Sequence, residues 1–342
     1  MADKNIQIQL ARQPEGEPKV SDFQVAETDI PAAGPGEFLA RNIYLSLDPY
    51  MRGAIAGRHM GHSRLNQSDL IGGRCVAQVI ESKHADYAEG DYIVIESGWQ
   101  QYCVSDGGVG DEVRKLDPDA GPLSAALGAL GMPGLTAWAG VEQLAKPGLG
   151  DTFVVTAAAG PVGGTSGQIA KAKGCRAVGI AGSDEKCRIV VEEYGFDACV
   201  NYKKDNWEDD LRAACPDGID VYFDNVGGPV LDTITQQLNL YGKIVLCGLV
   251  SQYNRSSDGA FNGHNMGPFV GKRAQLLGLV VYDYYDRINE FLKAAAPLVK
   301  DGRLKFHEDR AEGIENAPAH FAKLMSGQNV GKAMVVIGPE KI

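Results

Sequence analysis

The sequence predicts an α/β protein of two domains. One is a doubly wound parallel sheet of six strands; the other is a smaller, barrel-type β domain. Three observations carry this. Residues 6–115 alternate apolar and polar side chains in short runs separated by Gly, Pro and Asp turns, the pattern of half-buried antiparallel strands. From Thr152 to about Gly278, short apolar runs alternate with stretches of helical spacing, the pattern of β-α-β units. At 342 residues the chain is too long for one small core.

Taken in order, strands are predicted at 24–26, 37–47, 74–81 and 92–96. Between them, 57–70 is a polar loop carrying His59 and His62. Residues 128–143 switch to helical spacing, with Pro133 and Gly134 on the N-terminal side, and 146–151 is a turn. The parallel sheet takes strands at 152–157, 176–181, 198–201, 220–224, 243–247 and 275–281. Their near-continuous apolar character suits strands buried on both faces. Helices are predicted at 164–173, 184–194, 205–214 and 229–238, the second ended by Gly195. Residues 288–299 form a long helix with Ile288, Phe291, Leu292, Ala295 and Val299 on one face, closed by Gly302. A short helix at 318–325 and a last strand at 332–337 make a tail too short to fold alone. The domains are therefore drawn at 1–127 with 303–342, and at 128–302.

Composition excludes several classes of function. The net charge is −11 with no run of Lys and Arg, which argues against nucleic acid or an anionic membrane as partner. No apolar run approaches the roughly 18 residues of a membrane span. The first residues lack the order of a signal peptide, so a cytoplasmic protein is expected. The seven cysteines include no C-x-x-C and no zinc-ribbon spacing, and read as reduced thiols of a cytosolic protein. His59 and His62 lack a nearby third ligand, so no metal is expected. There is no G-x-S-x-G elbow and no internal repeat.

The chemistry points to residues 152–173. A strand breaks at Ala157-Ala158-Ala159-Gly160-Pro161-Val162-Gly163 and re-emerges as a helix. Strand, small-residue turn and helix form the first unit of a dinucleotide-binding fold. The turn lets backbone approach a pyrophosphate, and the helix N-terminus turns N–H groups and dipole toward it. Alanine stands at 157, where the usual fingerprint has its first glycine. Pro161 fits only the turn or the first helical position. Enzymes that use NAD place a carboxylate at the end of the second strand. Here the strand ends Ala181-Gly182-Ser183, leaving room for a 2′-phosphate, and Lys186 follows one helical turn later. This favours NADPH, with Asp184 as the contrary sign and an ordinary solvated lysine as the other reading of Lys186. Glycines recur at the ends of the fourth strand (Gly227, Gly228) and the fifth (Gly248), where open α/β sheets bind ligands.

At this point the chain resembles the zinc-independent medium-chain dehydrogenase/reductase group, and within it the prostaglandin reductase, alkenal double-bond reductase and curcumin reductase family. The resemblance covers nearly the whole chain. It is carried by Leu45-Ser-Leu-Asp-Pro-Tyr-Met-Arg52, Gly131-Met-Pro-Gly-Leu-Thr-Ala137, Ala157-Ala-Ala-Gly-Pro-Val-Gly163, Gly182-Ser-Asp-Glu-Lys186, Asp224-Asn-Val-Gly-Gly228, Cys247-Gly-Leu-Val-Ser-Gln-Tyr-Asn254 and Asn329-Val-Gly-Lys332. Zinc-bearing relatives carry Gly-His-Glu near Gly72-Gly73-Arg74 and a cysteine near Asp48; both are lost here. The resemblance implies a GroES-like domain, a Rossmann domain, a homodimer, and NADPH-dependent reduction of a C=C bond conjugated to a carbonyl in a small molecule.

It also implies site residues. Cofactor contacts fall on Thr136, Gly160, Pro161, Val162, Gly163, Gly182, Ser183, Lys186, Tyr202, Asn225, Cys247, Gly248, Leu249, Val250, Ser251, the strand end Leu279-Val280-Val281, and Asn329. Lys186 and Tyr202 are implied to hold the 2′-phosphate. Tyr253 matches the family's tyrosine after the fifth strand. It either donates its O–H to the developing enolate or packs over the cofactor without donating. Tyr50, Met132, Tyr282 and Tyr284 are pocket-wall candidates, or else core or surface. Arg52 reads as a structural partner. The loops at 57–70 and 255–267 depart from the relatives and are expected to border the substrate pocket. Leu279 stands where some relatives have an aromatic residue, which weakens the case for a bulky lipid. A quinone reductase on the same scaffold and a non-catalytic NADPH-binding sensor are the rival readings.

Overall fold

The computed structural model describes residues 4–108, 112–254, 264 and 266–340. The chain divides into two compact units, Met1–Leu127 with Glu308–Ile342, and Gly128–His307, so the first unit takes the chain back at Glu308 rather than at 303.

The first unit begins with β1 (Lys4–Leu10), β2 (Phe23–Asp29), β3 (Phe38–Ser46), α1 (Met51–Ile55), β4 (Cys75–Ser82), β5 (Tyr92–Ile95), β6 (Tyr102–Ser105) and β7 (Arg114–Lys115). The second unit holds α2 (Met132–Trp138), which runs on as a π-helical stretch (Ala139–Ala145), then β8 (Thr152–Thr156), α3 (Pro161–Ala172), β9 (Arg176–Ala181), α4 (Asp184–Glu192), β10 (Ala198–Asn201) and α5 (Trp207–Ala214). It continues with β11 (Ile219–Asp224), α6 (Gly228–Gln237), β12 (Leu238–Leu246), α7 (Gly267–Lys272), β13 (Gln275–Gly278) and α8 (Ile288–Lys300). The chain returns to the first unit as β14 (Glu308–Glu312), α9 (Ala317–Met325) and β15 (Lys332–Val336).

The six strands of the second unit lie in the order β10-β9-β8-β11-β12-β13, and every neighbouring pair is parallel. The strand order turns back between β8 and β11, so the ligand crevice of such a sheet falls at their carboxyl ends. Val154, Val178, Ile180, Tyr222 and Ile244 fill the core beneath. Two boundaries differ from expectation. The sixth strand stops at Gly278, not at 281, because Leu246↔Gly278 is the last pair in the ladder and β12 offers no further partner. Val281–Arg287 winds into a 3₁₀ helix instead. The fifth strand starts early, at Leu238; a register shift between Ile219 and Val221, with Tyr241 at φ 64°, absorbs the extra residues.

The first unit is a mixed sheet rather than a purely antiparallel one. β14 pairs parallel to β15, while β15, β3, β4, β5, β6 and β7 pair antiparallel. β14 reads Glu-Asp-Arg-Ala-Glu, which carries no apolar alternation, so pairing with β15 and not its own pattern makes it a strand. Trp99 anchors the aromatic core. It stacks on Phe23 at 5.6 Å and meets Phe321 of α9 edge-on at 5.6 Å. Such pairs add roughly 0.5–1.5 kcal/mol each beyond the area they bury.

One ion pair in this unit is buried. Lys332 Nζ lies 2.7 Å from Asp48 and 2.6 Å from the Leu47 carbonyl, with 2% and 6% of Lys332 and Asp48 exposed. Ser46 donates to the same carboxylate. Burial pushes the Lys332 pKa down, and Asp48 opposes that shift. Removing one partner of a buried pair strands the other charge, at a cost of about 3–5 kcal/mol. We expect Lys332→Met to lower unfolding free energy by that amount in urea denaturation; a loss below about 1 kcal/mol would show that the pair is not a stabilising contact.

Candidate active site

The turn after β8 is shaped by backbone packing. β8 is buried throughout, so its backbone is committed to the sheet and the chain must turn at Ala157. Ala157 adopts φ 53°, a left-handed conformation that glycine takes without strain and alanine takes at about 1–2 kcal/mol. Gly160 is the N-cap of α3 and Pro161 its first helical residue, where a missing N–H costs nothing. A Cβ on Gly163 would lie 2.4 Å from the Ala157 carbonyl oxygen. Helix and turn therefore touch backbone to backbone, and the first-turn N–H groups, which have no intrahelical acceptor, face the end of the strand. Val162 is half-buried in this same turn.

At the tip of β9, Ser183 caps α4 by accepting the Lys186 N–H at 3.2 Å. Tyr202, just past β10, donates its backbone N–H to the Ala181 carbonyl at 3.1 Å. Its ring lies 3.2 Å from where a Gly182 side chain would begin. The structure thus brings Gly182, Ser183, Lys186 and Tyr202 together. Asp184, the contrary sign in the sequence, is engaged elsewhere: it accepts from Lys204 at 2.8 Å and from Asn201 at 3.0 Å. These contacts, Lys204 foremost, hold its carboxyl below the usual range.

The ends of β11 and β12 are laced together. Asn225 donates its backbone N–H to Thr156 Oγ1 at 2.9 Å and its side-chain amide to the Thr156 carbonyl at 2.8 Å. Asp224 is fully buried; its Oδ1 accepts from the Tyr222 hydroxyl at 2.7 Å and from the backbone N–H of Val226 and Gly227 at 2.9 Å each. Burial raises its pKa, against those donors. The following turn docks on this one: Cys247 and Gly248 donate to the Asp224 carbonyl, Val250 to Asn225, and Ser251 to Val226. Burial pushes the Cys247 thiol up to about 12, so it is neutral. Tyr253 follows the short 3₁₀ turn Val250–Gln252, and its hydroxyl oxygen accepts the Leu249 N–H at 3.5 Å. Burial raises its pKa above the ordinary tyrosine value, so the phenol keeps its proton at neutral pH. Thr156 and Asp224 had no assigned part in the sequence reading. Their signal was a polar residue closing an otherwise apolar strand.

Other expected residues lie in different settings. The Leu279 N–H bonds Leu246 at 3.0 Å, and its side chain is buried beside Gly140. Val280 and Val281 are half-buried and lie beyond the strand end rather than in it. Thr136 donates to the Met132 carbonyl at 2.7 Å within α2, and Met132 is half-buried. Tyr282 is exposed and stacks on Tyr285 at 6.0 Å; Tyr284 is half-buried. In the first unit, Tyr50 starts α1 and its ring sits 4.8 Å from His59 and 6.0 Å from His62. The two histidines lie on a turn, not a helix face. Asn329 donates to Gly331 at 2.8 Å, ordering the approach to β15. Arg52 is buried and donates to the carbonyls of Pro14 and Gly16.

Zinc has no place at the equivalent positions. Asp48 is held by Lys332, and a side chain on Gly73 would meet the Trp99 ring at 2.9 Å. Among the described residues, no group of three or more His, Cys, Asp or Glu is arranged to hold a metal. Of the 255–267 loop, residues 255–263 and 265 lie outside the described residues.

Residues 6–113 match the family described as the N-terminal domain of oxidoreductase, and residues 161–299 match the one described as zinc-binding dehydrogenase. An NADPH-dependent curcumin reductase of Escherichia coli is 41% identical over 97% of this chain and 96% of that protein. A 2-alkenal reductase (NADP(+)-dependent) of Nicotiana tabacum is 38% identical over 98% of each. The crystal structure of CurA in complex with NADPH from Vibrio vulnificus superimposes with a TM-score of 0.91 at 38% identity, covering 98% of this chain and 99% of that one. With a glycine-turned helix N-terminus, a carboxylate-free second strand tip and full-length relatives of this kind, the chain belongs to the medium-chain dehydrogenase/reductase family, in the branch of curcumin and 2-alkenal reductases.

Proposed function

We propose that this protein uses NADPH to reduce the carbon–carbon double bond of α,β-unsaturated ketones and aldehydes. The observation that carries the reading is the convergence, at the carboxyl ends of β8, β9, β11 and β12, of a backbone cradle, a carboxylate-free strand tip flanked by Ser183, Lys186 and Tyr202, and a half-buried, protonated Tyr253. NADPH fits this set. Gly160, at the N-cap, leaves room for its pyrophosphate, and Gly163 lets the helix pack against the 156–157 backbone so that its N-terminus faces that group. Lys186, Ser183 and Tyr202 hold the 2′-phosphate, with Gly182 giving the phosphate space. Asn225 and the backbone of 247–251 line the nicotinamide end.

Bound NADPH supplies the hydride that the β-carbon receives. The residues then have two tasks. One is to hold the carbonyl end of the substrate beside Tyr253. The other is to stabilise the negative charge that grows on the carbonyl oxygen. Tyr253 does this by donating its O–H there; a positioned acid of this sort contributes about 10²–10⁴-fold. The Asp224–Thr156–Asn225 hydrogen bonds hold the turn beneath it, so the donor position is set before substrate arrives. Because burial raises the Tyr253 pKa, the phenol stays protonated and able to donate at neutral pH.

We further infer a homodimer that pairs through β13. This strand ends the six-stranded sheet with Gln275, Leu276 and Gly278 exposed, and Tyr241 and Val270 are 63% and 80% exposed. An open apolar edge invites a partner strand. A cytoplasmic location is supported by the seven cysteines, all of which are thiols; fractionation that recovered the protein from an oxidising compartment would refute it. No helix among the described residues is long and apolar enough to cross a membrane.

Three measurements bear on these readings. Tyr253→Phe should lower kcat for an enone about 10²-fold with little change in KM for NADPH; an unchanged kcat removes it as the donor. Lys186→Ala should raise KM for NADPH about tenfold and leave that for NADH nearly unchanged, and equal effects would undo the 2′-phosphate assignment. Light scattering should give the mass of a dimer that Leu276→Lys converts to monomer; a monomeric parent protein would end the edge-pairing reading.

A further inference from the structure

A second cluster lies on the other flank of α4. Cys187, in the first turn of that helix, and Cys199, on β10, face one cleft, and their thiols influence each other's ionisation. Both line a cleft of about 350 Å³, together with Asp184, Asn201, Lys204 and Asp210. Each is half-buried, so solutes reach them, whereas Cys75, Cys103, Cys175 and Cys215 are buried. The two elements are already tied at this point, since Asp184 of α4 accepts from Asn201 and Lys204 beside β10. The Cys199 thiol, the largest influence, holds the Cys187 thiol below its ordinary pKa, while Cys187 in turn and burial push Cys199 up. A thiol that ionises readily, beside one that keeps its proton, is the arrangement of an attacking and a resolving cysteine.

We propose that Cys187 and Cys199 form a peroxide-oxidisable dithiol whose closure to a disulfide weakens NADPH binding. The Cys187 thiolate attacks a hydroperoxide oxygen, the O–O bond breaks, and Cys187 becomes a sulfenic acid while hydroxide leaves. The Cys199 sulfur then attacks the Cys187 sulfur, the S–O bond breaks, and water leaves. In sum, two thiols and one hydrogen peroxide give one disulfide and two waters. Bringing the two sulfurs across the cleft to about 2.05 Å draws the first turn of α4 toward β10. That turn carries Ser183 and Lys186, so the consequence for NADPH rests on their reading as the 2′-phosphate site. The thiol chemistry itself does not.

The test uses the full-length protein, reduced, desalted and exposed to micromolar hydrogen peroxide. Peptide mass spectrometry should find one disulfide, joining 187 to 199 and reversed by dithiothreitol. KM for NADPH should rise at least threefold on oxidation, with a smaller change in kcat. Cys199→Ser should replace the disulfide by a sulfenic acid at Cys187 that dimedone traps, and Cys187→Ala should leave Cys199 a thiol. Persistence of both thiols at peroxide doses that oxidise free glutathione, or a disulfide to any other cysteine, would overturn the proposal. So would dimedone labelling of Cys199 in the Cys187→Ala protein. A 187–199 disulfide that leaves KM for NADPH unchanged would overturn the link to binding; the separate Lys186→Ala measurement then shows whether the 2′-phosphate assignment stands. The mass spectrum of the unmutated protein decides the chemistry even where a variant fails to fold.

Discussion

The closeness of α3 to the turn after β8 is the constraint on which the rest of the second unit depends. Gly163 has no room for a side chain, because a Cβ would sit 2.4 Å from the Ala157 carbonyl oxygen. Further along the same helix, a Cβ on Gly167 would fall 1.8 Å from the Phe196 ring. The helix therefore packs on bare backbone at both places, and its N-terminus is aimed at the carboxyl end of the sheet. That aim presents the helix N-terminal N–H groups and dipole at the turn, an arrangement that favours an anion. The strain at Ala157 is borne locally, in a position where the usual fingerprint avoids it.

A second layer of control comes from buried polar groups. The core of the sheet is apolar, yet Thr156, Tyr222 and Asp224 place three polar side chains at its carboxyl edge. Their hydrogen bonds join β8, β11 and the turn at 225–228, and the backbone of 247–251 then docks on that turn. Burying a carboxylate is costly unless it is satisfied, and here Oδ1 takes several donors while Oδ2 has none. Such an arrangement trades stability for a turn held in one shape beside Tyr253, the residue proposed above as donor.

The first unit is tied together by buried contacts at two positions. Asp48, near the position where the resemblance puts a cysteine in zinc-bearing relatives, is paired with Lys332, and Trp99 fills the space over Gly73. Lys332 belongs to the C-terminal strand, so the same contact ties the tail to the N-terminal sheet.

By itself the sequence determined the parallel sheet, its helices and the glycine turn. Strands buried on both faces and helices with one apolar face leave strong local patterns, and Gly182 with Ser183 at a strand tip can be read directly. It did not determine β14, whose charged residues become a strand only by pairing with β15, nor the end of β13, which depends on where β12 runs out of partners. Only the tertiary structure decided that Asp184 is engaged by Lys204 and Asn201, that Thr156 and Asp224 hold the turn near Tyr253, and that Cys187 meets Cys199. Those facts depend on residues far apart in sequence meeting in space, and no local period encodes such a meeting.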